Sequence, residues 1–190
     1  MSTQSVPLVT PEEYLAYDRA SEVKNEYVFG EIVSMAGASP WHSLLAANAL
    51  GVFYKQLSGG KCRVFDSSLR VCLDQHSSYA YPDVTVVCGA LEYVDEKKDT
   101  AANPKVIVEV LSPTTRNYDL GDKARMYSRI PSLTDLLLIA QDRVSIEHWR
   151  RLPNGHWEIG AVEDRQASIQ IESVACALSV AEIYAGVELP

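Results

Sequence analysis

Three features of this sequence predict an α/β (α+β) fold, a mixed β-sheet flanked by helices. The run from Val106 to Leu111 is short, apolar, rich in β-branched residues and bounded by Pro104 and Pro113. Such a run reads as a strand buried on both faces. A helical segment and a further apolar strand follow it, as in a parallel crossover. The strands before it are short and separated by turns, as in antiparallel hairpins.

Taken in order, Thr10-Pro11-Glu12-Glu13 opens a first helix, with Thr10 as cap and Glu13 closing a capping box; it ends near Arg19. Asn25 to Met35 forms a hairpin turning at Phe29-Gly30. Ser39-Pro40 starts a longer helix that reaches about Leu57 and stops at Gly59-Gly60. Its apolar face, including Leu44, Leu45, Ala49, Val52 and Phe53, is broad enough to cover a sheet. Lys61 to Phe65 and Leu69 to Leu73 are strands around Asp66-Ser67-Ser68. Tyr81 to Cys88 is another strand; Pro82 is tolerable at its start.

Beyond the central run, Ser112 to Tyr118 is a polar loop, and Asp119 caps a helix from Leu120 to about Arg129, before Pro131. Leu133 to Ala140 is a strand. Val144 to Trp149 and Trp157 to Val162 form a hairpin across Asn154-Gly155. Ser168 to Ile171 is a short strand, and Ser179 with Glu182 opens a terminal helix. The 190 residues are read as one domain with its core at about 39–140, an N-terminal helix and hairpin, and a C-terminal β-hairpin extension.

A net charge of −8 argues against a protein that coats nucleic acid indiscriminately, though not against an enzyme with a local basic face. Lys55, Lys61, Arg63 and Arg70 form one basic region, and Arg116, Lys123, Arg125 and Arg129 another. Glu92, Asp95, Glu96 and Asp99 read as a solvated acidic loop. No run approaches the ~18 apolar residues of a membrane span, and the first residues lack the pattern of a signal peptide. Cys62, Cys72, Cys88 and Cys176 form no CxxC pair and read as buried reduced thiols, so a cytoplasmic location is expected.

The chemistry centres on Glu109. Alternation places it with Ile107 and Leu111, opposite Val106, Val108 and Val110, so it points into a covered layer. A buried carboxylate must be protonated, paired or bound to a cation. Pairing with an Arg or Lys is the structural alternative. Asp83, at the start of an earlier strand, meets Glu109 if the two strands are neighbours. Two carboxylates held together repel, and a divalent cation such as Mg2+ removes the conflict. Lys123, from the next helix, adds a positive charge near the same place. Asp83 could instead cap a turn, and Lys123 could pair with Asp119 or Glu109.

Three stretches carry a family resemblance: Tyr-Pro-Asp-Val-Thr-Val-Val-Cys-Gly (81–89), Asn-Pro-Lys-Val-Ile-Val-Glu-Val-Leu-Ser-Pro-Thr-Thr (103–115) and Tyr-Asp-Leu-Gly-Asp-Lys (118–123). With the segments at 26–33 and 39–42, they resemble the restriction endonuclease family of unassigned specificity within the PD-(D/E)XK nuclease superfamily. The resemblance runs from about residue 10 to the C-terminus. It implies a restriction-endonuclease-like core and hydrolysis of DNA phosphodiester bonds. It implies Mg2+, with Mn2+ as substitute, held by Asp83, Glu109 and the Val110 carbonyl. The superfamily's usual lysine position is Leu111 here, and the resemblance assigns that role to Lys123, with Arg116 and Arg125 as alternatives. Glu31 and His42 match family positions and are candidates for lining the site. Ser68 departs from the pattern, since relatives commonly carry an acidic residue there. Cutting both strands of a duplex suits a homodimer. A metal-dependent phosphoesterase acting on RNA or structured nucleic acid, and an inactive descendant that binds nucleic acid or a protein partner, are the other functions this sequence admits.

Overall fold

The computed structural model describes residues 8–35, 37–74, 78–112 and 119–189. Most of the expected loop up to Tyr118, with Arg116, and the capping side chain of Asp119 lie outside the described residues.

Helix α1 (Pro11–Ala20) starts with the expected capping box, in which Thr10 and Glu13 each accept from the other's backbone N–H. Strands β1 (Asn25–Val28) and β2 (Glu31–Ser34) form the hairpin, with Phe29 and Gly30 both at positive φ in the turn. Helix α2 (Pro40–Leu57) is capped by Ser39. Then come β3 (Cys62–Asp66), β4 (Arg70–Cys72), β5 (Ser78–Ala80), β6 (Val84–Cys88), β7 (Thr100–Ala101) and the central strand β8 (Val106–Leu111). The expected helix after β8 is a π-helical turn (Asp119–Lys123) running into a short α3 (Ala124–Ser128). Strands β9 (Asp135–Ala140), β10 (Ile146–Arg151), β11 (Trp157–Val162), β12 (Ser168–Ile171) and β13 (Cys176–Ser179) follow, and α4 (Val180–Ile183) is a single turn.

Among the described residues these strands form two large sheets and a two-stranded ribbon, rather than the one mixed sheet expected. One sheet has the order β2-β1-β5-β4-β7 and the other β11-β10-β9-β8-β6-β3. β8 is parallel to β9 and antiparallel to β6. The chain changes sheets between β2 and β3, β3 and β4, β5 and β6, β6 and β7, and β7 and β8. Sequence periodicity reports which faces are buried, not which sheet a strand joins. β4 and β5 are buried on both faces: Val71 and Ala80 pack between the sheets, and Cys72 and Tyr79 pack under α1 with Tyr14. That double burial requires a second layer.

Alternation along β8 is as expected. Val106, Val108 and Val110 pack with α2 and the β12–β13 ribbon, while Ile107 and Leu111 pack with the other sheet and α3. Glu109 shares the second face and so faces the layer between the sheets.

Two sequence expectations need correction. Cys62 and Cys88 are disulfide-bonded, while Cys72 and Cys176 are buried thiols outside that bond. The bonded pair lies in direct register across β3 and β6, a long-range relation that local spacing does not reveal. Arg70 is not part of a basic surface. Its side chain is 4% exposed and binds Asp18, Thr100, Tyr81 and Asp99. Asp95 and Asp99 of the acidic loop hold Arg19. This network ties α1 and the loop to the five-stranded sheet.

Removing Asp18 takes away the one fully buried carboxylate of this guanidinium and leaves it only the more exposed Asp99. Asp18→Ala should therefore lower unfolding free energy by about 3–5 kcal/mol in urea denaturation; a loss under about 1 kcal/mol, the range of surface pairs, would show that the network adds little.

Candidate active site

The site forms where the chain crosses between sheets. Tyr81-Pro82-Asp83 carries the chain from β5 to β6, and Pro82, which has no N–H, sits at the switch. Val84 pairs with Val108, so one further step along the register sets Asp83 opposite Glu109. Residues paired this way present their side chains on one face. Asp83 Oδ2 accepts the Val110 N–H at 2.7 Å, closing the ladder where β6 begins. Its Oδ1 lies 2.9 Å from His42 Nε2, on the first turn of α2. Asp83 is thus fixed from two elements.

Glu109 lies almost fully buried on β8. Its Oε1 is 3.0 Å from Lys123 Nζ and also accepts the hydroxyl of Tyr127. Lys123 and Tyr127 are four residues apart and meet the same oxygen from one helical face. Lys123 Nζ is also 2.9 Å from Glu26 Oε1, on β1 of the other sheet. Met126, Ile130 and Leu133 pack the helix against both sheets and hold this geometry. Both contacts to Glu109 use Oε1; no described residue hydrogen-bonds its Oε2.

Burial pushes the Glu109 carboxyl up to about 8, with Asp83 and Glu26 adding to the rise and Lys123 opposing it. Burial, and then the neighbouring Glu109 charge, raise the Tyr127 phenol as well, so it serves as a hydrogen-bond donor.

The candidates from the sequence divide clearly. Asp83, Glu109, Lys123 and His42 come together, and the Val110 backbone borders them. Glu31 does not join them: it is exposed on β2, opposite Val28. Arg125 is exposed and points to Asp122, and Ser68 is exposed in a turn held by Asp66. Glu26 and Tyr127 were missed as site residues. Glu26 shares a strand face with Val28, which packs in the inter-sheet layer, a placement that only the packing reveals.

The donor set suits a hard divalent cation. Two carboxylates face each other, one with an oxygen to spare. A strand residue's N–H and C=O leave on the same edge, so the Val110 carbonyl opens toward Asp83. Mg2+ is held by one or two carboxylates and waters, without a protein cage. Among the described residues there is no group of three or more His, Cys, Asp or Glu side chains placed to hold a metal.

Architecture and cluster together define the class: this is a mixed α+β protein of restriction-endonuclease-like fold. A crystal structure described as "a putative nuclease belonging to DUF820", from Anabaena variabilis, superposes with a TM-score of 0.79 over 95% of this chain and 99% of that one, at 18% identity. The chain belongs to the Uma2 family, described as "Putative restriction endonuclease", whose model matches residues 11–181. Two uncharacterized proteins of Synechocystis sp. are similar to it: one is 34% identical, spanning 95% of this chain and 93% of its own length, and the other 29% identical, spanning 90% and 96%.

The raised Glu109 carboxyl has a consequence for stability. Its folded pKa of about 8 exceeds its ordinary 4.5, so the folded chain keeps a proton that the unfolded chain has released. This contribution is complete below about pH 4.5 and is lost as pH rises toward 8. In metal-free protein the melting temperature should fall across that window, and Glu109→Gln should flatten the fall. A Glu109→Gln variant with the wild-type pH slope would contradict the assignment.

Proposed function

We propose that this protein is a metal-dependent endonuclease that hydrolyses DNA phosphodiester bonds, acting as a homodimer. The observation that carries the reading is the convergence of Asp83, Glu109 and Lys123 from three separate elements of a nuclease-family fold. Asp83, Glu109 and the Val110 carbonyl would hold Mg2+, with Mn2+ as substitute. When bound, the cation supplies positive charge at the phosphate and lowers the pKa of water.

The chain's own residues do the rest. His42 and the Val110 N–H orient Asp83. Tyr127 orients Glu109. Lys123 holds a positive charge beside Glu109, in a poorly solvated layer where it stabilises developing negative charge better than in water. With a net charge of −8, binding to DNA should be weak outside this site and steeply salt-dependent.

The test is a substrate panel of supercoiled plasmid, linear duplex, structured DNA and RNA, with Mg2+, Mn2+ or chelator. Wild type should cut DNA only with a cation, Asp83→Ala and Glu109→Ala should abolish cutting, and Lys123→Ala should slow it by at least ~100-fold. Cleavage that survives all three substitutions would refute the site. Cleavage of RNA alone would move the activity to another phosphodiester. Binding without any cleavage, indifferent to both carboxylates, would mark an inactive descendant.

A further inference from the structure

Glu26 has no part in the reading above, yet it lies at the centre of the cluster's hydrogen bonding. It belongs to β1, in the sheet that does not contain Glu109. It is buried, and its Oε1 meets Lys123 Nζ at 2.9 Å. The same oxygen accepts the Tyr81 N–H at 3.4 Å, two residues before Asp83. Glu26 therefore touches both the lysine and the segment that delivers the first carboxylate.

Lys123 is held between two carboxylates that differ in kind. Glu109 borders Asp83 and an open donor set. Glu26 meets Lys123 and the Tyr81 N–H from the other sheet. When Glu109 directs its charge to a cation, its hold on Lys123 weakens and the hold of Glu26 does not. A second constraint is charge. With all three carboxylates ionised, Asp83, Glu26 and Glu109 against Lys123 leave an excess of two negative charges, which one divalent cation balances. Without Glu26 the same cation would bring the cluster to a net positive charge, and its attraction for Lys123 would weaken.

We infer that Glu26 is a positioning residue for Lys123: it anchors the ammonium beside Glu109 while a divalent cation occupies the carboxylates. This rests on the nuclease reading for its consequence in catalysis, but not for the anchoring itself.

The experiment uses the full chain as wild type, Glu26→Gln, Glu26→Asp, Lys123→Ala and the Glu26→Gln/Lys123→Ala double variant. Glu26→Gln keeps size and an acceptor for Tyr81 and removes only the charge. Three quantities are read: Mn2+ affinity by calorimetry, single-turnover cleavage of duplex DNA with its dissociation constant, and the rate at which an amine-acylating reagent labels Lys123, with and without Mn2+, by mass spectrometry. Loss of position in an active site costs on the order of 100-fold in rate. Glu26→Gln should lose about that much at saturating DNA, with DNA and Mn2+ affinities little changed and Lys123 labelled several-fold faster when Mn2+ is present. Glu26→Asp should recover part of the rate. The double variant should be no slower than Lys123→Ala, because both changes act through one ammonium.

Wild-type labelling of Lys123 in Glu26→Gln, or additive losses in the double variant, would overturn the inference. If wild type cuts no substrate, the nuclease reading fails by itself, and the labelling rates still decide whether Glu26 holds Lys123. If Glu26→Gln does not fold, the Glu26→Asp labelling and rate decide it in the same way.

Discussion

A carboxylate in the middle of a buried strand has to be answered by the rest of the molecule. Glu109 is flanked on β8 by residues that pack two separate cores, so it cannot turn to solvent without pulling the central strand apart. Burial alone would keep it protonated. The π-helical turn before α3 brings Lys123 to it, and α3 brings Tyr127. β1 supplies Glu26 behind the lysine. Breaks of π type in a helix often accompany functional sites, and here the break delivers the one buried lysine among the described residues.

The second constraint is topological. β5 and β6 belong to different sheets, and Asp83 lies on the short link between them. An aspartate inside either strand would spend its position on ladder pairing and packing. At the link it is free to accept the Val110 N–H and to meet His42, while staying opposite Glu109. The two-sheet arrangement is thus what allows residues from β1, α2, β8 and α3 to meet at one point.

Much of this was legible in the residues. Two-residue alternation gave both faces of β8 and hence the direction of Glu109. The capping signals at Thr10 and Ser39 gave two helix starts to the residue. The position of Lys123 followed from where a helix must begin after β8. What was not legible was long-range. The division into two sheets, the Cys62–Cys88 bond, and the burial of Arg70 against Asp18 each depend on register or on which strand lies beside which, and no local pattern encodes these. Glu26 was passed over for the same reason. In a hairpin its charge looks solvated, and Glu31, just past the turn, looks equally suited; only the packing of the hairpin on α3 separates them.

The central claim is that Asp83 and Glu109 form a cation site beside an anchored lysine. Anomalous diffraction from crystals soaked in Mn2+ tests it most directly. The account predicts one ion bound by Asp83, Glu109 and the Val110 carbonyl at about 2.1 Å or slightly more, the range of a small octahedral cation, with Lys123 still on Glu26. No ion at these carboxylates, with Lys123 remaining the sole charge partner of Glu109, would contradict it and leave the cluster as a structural ion pair.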